Sequence, residues 1–145
     1  MSVEKSAGKQ RSQITQADYE ALSDFRYLLR RFLEFSEKAA RDAGLQPRQH
    51  QALLAIKGMG ERGPVGVGDL AERLCIRHHS AVELVNRLGE AGLVSREHDK
   101  VDQRRVILHL TERAEAYLAG LSAAHLDELS RIEPMLTRIL SHSKG

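Results

Sequence analysis

The sequence holds one cysteine, three prolines and no tryptophan among its 145 residues, and aromatic side chains make up only 4% of it. The lone Cys75 excludes an intrachain disulfide framework and fits a reducing compartment. With so few rings, the core has to be aliphatic. No run approaches the ~18 consecutive apolar residues that a membrane span needs, which excludes an integral membrane protein. The opening residues Met1, Ser2, Val3, Glu4 and Lys5 carry no apolar signal core, so secretion by that route is not expected. Neither sign of charge is in excess: 22 basic residues against 20 acidic ones give a net of +2. That balance permits a polyanionic partner without demanding one. The expectation is a cytoplasmic chain of one ordinary domain, with room for extra helices that serve association.

What is present is helical periodicity broken by turns. Residues 1–17 are polar and read as a mobile arm ahead of a single domain over 18–145. Leu22, Phe25, Leu29, Phe32, Ser36 and Ala39 follow a 3-4-3-4-3 spacing that places them on one helical face, and Gly44 ends that helix. Pro47 is pre-set for a first helical position, and Leu53, Leu54 and Ile56 supply the apolar side behind it. Five glycines and Pro64 between Gly58 and Gly68 make a turn-rich connector. Leu70, Ala71 and Leu74 mark a short helix, Cys75, Ile76 and Arg77 a turn, and Ala81, Leu84, Val85 and Leu88 a second amphipathic helix closed by Gly89 and Gly92.

The next stretch changes period. Leu93–Arg96 and Val106–Leu110 are short and β-prone, and they bracket a charged segment from Glu97 to Arg105, as in a hairpin with a polar tip. Thr111 is a natural N-cap for a long last helix carrying Ala114, Tyr117, Leu118, Leu121, Leu129 and Ile132, which Pro134 is expected to break or kink. A short helix, a tight turn, an amphipathic helix and a hairpin make a winged helix-turn-helix, here over about 46–111. The fold expected is mainly α with a small β-wing. The end helices, about 18–43 and 112–142, are not needed for that unit. Their apolar stripes (Leu22, Phe25, Leu29, Leu121, Ile132, Leu136, Ile139 and Leu140) stay wet unless they meet each other or a second chain, so they are expected to dimerise.

These residues resemble the MarR family of bacterial transcription regulators. The likeness runs through Asp69-Leu70-Ala71-Glu72-Arg73-Leu74, Ser80-Ala81-Val82-Glu83-Leu84-Val85-Asn86-Arg87-Leu88 and Glu90-Ala91-Gly92-Leu93-Val94. It continues in Asp102-Gln103-Arg104, similar to the family's D-x-R wing element, and in Leu110-Thr111-Glu112. It covers roughly residues 20–140 in the right order. Three places depart from the pattern: Gln46 and the pair Gly66 and Gly68 stand where Ser or Thr usually caps a helix, and Ala114 replaces a common glycine. The resemblance implies a homodimeric repressor of pseudo-palindromic operators, found on the bacterial nucleoid when bound. It also implies release by a small aromatic or phenolic acid, or by thiol oxidation.

The residues suggest how such a chain reads DNA. On the helix after the turn, His79, Val82, Glu83 and Asn86 lie opposite the apolar side, with His78 and Ser80 flanking and Arg77 just before. Donors, an acceptor for a cytosine amino group and a methyl contact for thymine are the groups that read base edges in a major groove. The hairpin tip carries Lys100, Arg104 and Arg105; a guanidinium there suits a narrow A·T-rich minor groove, with Asp102 placed to orient it. From Arg73 to Arg105 seven basic residues stand against five acidic ones, so position rather than charge density makes the case.

The remaining motifs point to less. Gly58–Gly63 matches G-x-G-x-x-G, but no strand precedes it, so it reads as a connector rather than a dinucleotide site. Leu74 and Ile76 flank Cys75, and packing in the core is expected for it ahead of redox sensing. His79 and Glu83 share a face, but two ligands fall short of a metal site, and no cofactor is implied. No catalytic constellation stands out, so the chain is not read as an enzyme. Tyr19, Arg26, Arg30, His50 and Tyr117 are candidates for an effector pocket where the end helices meet the winged unit. Two competing readings stay open: a winged protein-interaction module that does not read DNA, and a thiol- or metal-switched regulator.

Overall fold

A computed structural model describes residues 13–144. Of the arm expected over 1–17, residues 1–12 lie outside the described residues. The first helix, α1 (Gln16–Asp42), begins two residues before the expected boundary because Thr15 caps it. The Thr15 hydroxyl accepts from the Asp18 N–H at 3.2 Å, and the Asp18 carboxylate accepts from the Thr15 N–H at 2.9 Å. Such reciprocal capping satisfies two orphan donors at once. Gly44, at φ +91°, turns the chain out of α1 in a conformation that L side chains rarely adopt. Pro47 then opens α2 (Pro47–Met59), with the Gln49 side chain accepting from the Gln46 N–H at 3.0 Å.

After a single 3₁₀ turn (Gly60–Arg62) come α3 (Val67–Leu74) and α4 (His78–Glu90). The wing is an antiparallel pair, β1 (Val94–His98) and β2 (Val106–Leu110), in register from Val94 opposite Leu110 to His98 opposite Val106. A bridge between Gly66 and Ile107, with the Leu108 N–H donating to the Val65 carbonyl at 2.8 Å, ties the hairpin to the segment entering α3. Thr111 caps α5 (Glu112–Ser143), accepting from the Ala114 N–H at 3.2 Å while its hydroxyl donates to the Gly92 carbonyl at 2.7 Å. Pro134 does not end α5; the helix runs through it to Ser143. No described helix is long and apolar enough to cross a membrane.

Leu53, Leu70, Leu88, Leu93 and Val85 are the largest fully buried side chains, so the core sits among α2, α3, α4 and the root of the wing. It is aliphatic, as the scarcity of rings requires. The long helices α1 and α5 run antiparallel beyond it. Two polar ties hold them: the Ser36 hydroxyl lies 2.8 Å from His125 Nε2, and the His142 Nε2 lies 2.9 Å from the Asp18 carboxylate. His125 Nδ1 stands 2.6 Å from the Leu121 carbonyl, which can only accept, so Nδ1 donates to it.

Two expectations are corrected here. Leu121 is 5% exposed and belongs to the core of its own subunit, not to an open apolar stripe. Cys75 is exposed rather than packed away, because it forms the left-handed C-cap of α3 at φ +55°, which turns its side chain out at the bend of the helix-turn-helix.

Candidate nucleic-acid interface

The apolar stripe of α4 fixes which side faces outward. Ala81, Leu84, Val85 and Leu88 are buried, which leaves His78, His79, Val82, Glu83 and Asn86 exposed and Ser80 half-buried at the first turn. Arg77, exposed, is the N-cap residue. The sequence placed all seven on this surface, and the structure brings them together there. Asn86 differs in one respect: its Oδ1 already accepts from Arg96 Nη1 at 2.5 Å, so its amide N–H₂ is the group left outward.

Arg96 was not among the sequence candidates. Period-two alternation in β1 puts it on the same side as buried Val94, toward α4, and that was the signal available. Its guanidinium crosses the close-packed end of α4, where a side chain at Gly89 would sit 3.2 Å from Nη2. With Asn86, Val82, His78 and Arg104, it lines a groove of about 490 Å³ between α4 and the wing.

The wing tip is built from aspartates. Asp99 Oδ1 accepts from the Val101 N–H at 2.9 Å, and Asp102 Oδ1 accepts from the Arg104 N–H at 3.1 Å. Asp102 Oδ1 also lies 3.4 Å from Arg104 Nε, so the carboxylate orients a guanidinium whose side chain is 94% exposed. Lys100 stands exposed beside it. Arg105 is different from the free tip cation that the sequence suggested. Its Nη2 donates to the Pro64 carbonyl and to Asp69 Oδ2, each at 2.8 Å, and Nη1 lies 3.9 Å from Asp99. Pro64 and Asp69 are far from it in sequence, and they hold the wing to the start of α3.

Asp69 serves both sides of that joint. The Gly66 N–H donates to it at 2.8 Å, closing the N-terminus of α3 from within. That backbone hydrogen bond, with Arg105 in support and partial burial opposing, keeps the Asp69 carboxyl below the usual carboxylate range. Gly66, which looked like a missing cap, sits in a tight place: a Cβ there would lie 3.1 Å from Arg105 Nε and 3.4 Å from the Val106 carbonyl.

The effector candidates do not assemble. His50 is 2% exposed, tilted against His125 with ring centroids 4.9 Å apart, and its Nδ1 has no hydrogen-bond partner among the described residues. Burial holds its pKa below the ordinary histidine value, and the neighbouring His125 acts in the same direction. Tyr117 lies under the Arg113 guanidinium, 5.9 Å from its ring centre. Arg26 and Arg30 flank buried Leu28 at two residues either side, hence about 200° around α1 from it, and both are exposed. Tyr19, also exposed, is seventeen residues from Ser36, about 25 Å along the helix from the histidine pair. The groove of about 660 Å³ behind the wing includes none of the five.

On the end helices, Leu22 is 64% exposed, and Phe25, Leu29 and Leu140 are exposed too, joined by Leu33, Leu126 and Leu129. Ile132, Leu136 and Ile139 are half-buried between them. Together they leave a broad apolar face without a partner among the described residues.

A family model described as the MarR family matches residues 43–105, from the end of α1 to the wing. Over 88 residues the chain is 36% identical to YcgE of Bacillus subtilis (strain 168), an uncharacterized HTH-type transcriptional regulator; the match covers 61% of this chain and 55% of that protein. The matched stretch thus spans little more than half the length of that relative. Among solved structures, a MarR family protein from Bacillus stearothermophilus superposes with TM-score 0.70 at 18% identity, covering 92% of this chain and 100% of that one. A mutant of S. aureus MepR bound to an oligodeoxyribonucleotide gives TM-score 0.64 at 18% identity, covering 90% and 99%. At such identities the likeness is one of fold.

Proposed function

We propose that the chain, which matches the MarR family model over residues 43–105 and shares the fold of a MarR family protein, acts as a homodimeric repressor on a pseudo-palindromic operator. α4 enters the major groove, with His79, Val82, Glu83 and the Asn86 amide meeting base edges. His78, Ser80 and Arg77 meet the backbone near the helix start. Arg104 reaches the adjoining minor groove, with Lys100 on the flanking phosphates. The observation that carries this reading is the pairing of an outward polar face on α4 with an Asp102-oriented, fully presented Arg104 beside it.

The apolar face of α1 and α5 supports the homodimer, since an open apolar surface of this breadth on a single chain marks an association site. Two-fold pairing sets the α4 helices one turn of DNA apart, about 34 Å. An aromatic or phenolic acid as release ligand follows from the family alone, because the five candidate side chains do not surround one cavity in the single chain.

Gel-shift titration with the promoter DNA preceding the chain's own gene tests the proposal. Tight, salt-sensitive binding to an inverted repeat is expected. Weak binding indifferent to sequence overturns it and favours the protein-interaction module.

A further inference from the structure

We infer that the groove on the side of α4 away from the wing is a second backbone seat, in which Arg41, Arg48 and Arg87 hold the phosphodiester strand that the wing does not reach. The inference rests on the DNA-binding reading above and assigns residues for which that reading has no use. The groove lies among the C-terminal end of α1, the start of α2 and α4, and encloses about 630 Å³. It shares Ser80 and Glu83 with the outward face of α4.

At about 100° per residue, α4 presents two exposed stripes. His78, Val82 and Asn86 border the groove on the wing side, and Ser80, Glu83 and Arg87 border the groove on the far side. His79 falls between them, on the ridge. A major groove about 12 Å wide closely fits a helix of about 10–12 Å, so a sugar–phosphate strand runs along each flank of an inserted helix. The wing side offers Arg96 to one strand, and Arg104 passes beyond it to the adjoining minor groove. The other strand meets the far groove.

The cations of that groove are free to meet it. Arg41, Arg48 and Arg87 are exposed, and among the described residues none of the three has a carboxylate or other acceptor in hydrogen-bonding or salt-bridge distance. Arg105 and Arg113, by contrast, are tied to protein oxygens at 2.8–2.9 Å. Glu37 and Glu83 also line the groove, so its charge is three against two. Glu83 stands on the ridge side, where base edges lie and a cytosine amino group can be accepted. Glu37 is one turn before Arg41 on α1.

The test uses a fluorescein-labelled duplex selected from a randomised pool by the wild-type protein, with affinity followed by anisotropy from about 50 to about 200 mM salt. Arg48→Gln and Arg87→Gln each lower the salt slope by ~1 per subunit, removing a roughly 3–4-fold share of the affinity lost over that range. Preference among point-mutated duplexes stays as in wild type, because phosphate contacts carry no sequence information. Arg48→Lys restores the slope. Arg31→Gln, on a residue paired with Glu34 outside the groove, leaves it unchanged. If both glutamine variants bind the duplex with the wild-type slope, the inference falls while the DNA-binding reading stands. If the wild-type protein selects no duplex, both fall.

Discussion

Arg105 and Asp69, thirty-six residues apart, meet at 2.8 Å and join the wing to the first helix of the reading unit. The pair is half-exposed, so its direct share of stability is about 0.2–1 kcal/mol. Its larger effect is geometric, since it sets where the wing stands relative to α4. Arg105→Gln is therefore expected to leave the melting temperature almost unchanged yet weaken operator binding. Asp69→Ala also removes the acceptor for the Gly66 N–H, a cap contact of about 1 kcal/mol, and should melt earlier than Arg105→Gln. Thermal melts and gel shifts on the two variants check both statements.

Arg104→Ala has no packing to lose. The expected outcome is an unaltered melt with a salt slope lower by ~1 per subunit. Asp102→Asn keeps the cation but loosens its aim, and falls between Arg104→Ala and wild type in affinity.

Val82 and Glu83 predict a different signature. Val82→Ala or Glu83→Gln should change which operator bases are preferred, at ~1–3 kcal/mol for each lost base contact, with the salt slope held. Selection from randomised duplexes reads this directly.

His50 predicts a pH dependence of stability. Its folded pKa is lowered from the ordinary 6.5 by burial and by His125, so the unfolded chain binds the proton more readily. The stabilisation from keeping it neutral is complete above the unfolded pKa, and it diminishes as pH falls below that value toward the folded one. Urea midpoints for wild type should decline on acidification from pH about 7.5 to about 5.5 more than those of His50→Gln.

Phe25 and Leu121, both expected on one apolar stripe, predict opposite defects. Phe25→Glu on the open face should give a folded monomer by sedimentation. Leu121→Ala, inside the core, should instead cost about 2–5 kcal/mol of folding stability.

Much of this was legible beforehand because local rules agree with the fold. The 3.6-residue stripes of α1, α4 and α5, the start of α2 at Pro47, the Thr111 cap and the span of β2 all follow from spacing and turn chemistry alone. The outward face of α4 followed in turn from its buried stripe. What escaped depends on partners distant in sequence. Nothing near Arg105 reveals that Pro64 and Asp69 take its guanidinium, and nothing near Leu121 reveals that its turn of α5 faces the core. The apolar neighbours of Cys75 suggested burial, whereas a left-handed cap decides its direction. Tyr19 and His50 were grouped by side-chain chemistry, with no spacing rule to bring them together, and the length of α1 keeps them apart.

The outward bend at Cys75 gives the chain a built-in reporter. As the sole thiol in 145 residues, it accepts a single maleimide spin label per subunit without any engineered mutation. Pulsed electron resonance on a labelled pair would then measure the spread of the two reading heads, their approach to one helical turn (~34 Å) on a duplex, and their departure from it when the duplex is released.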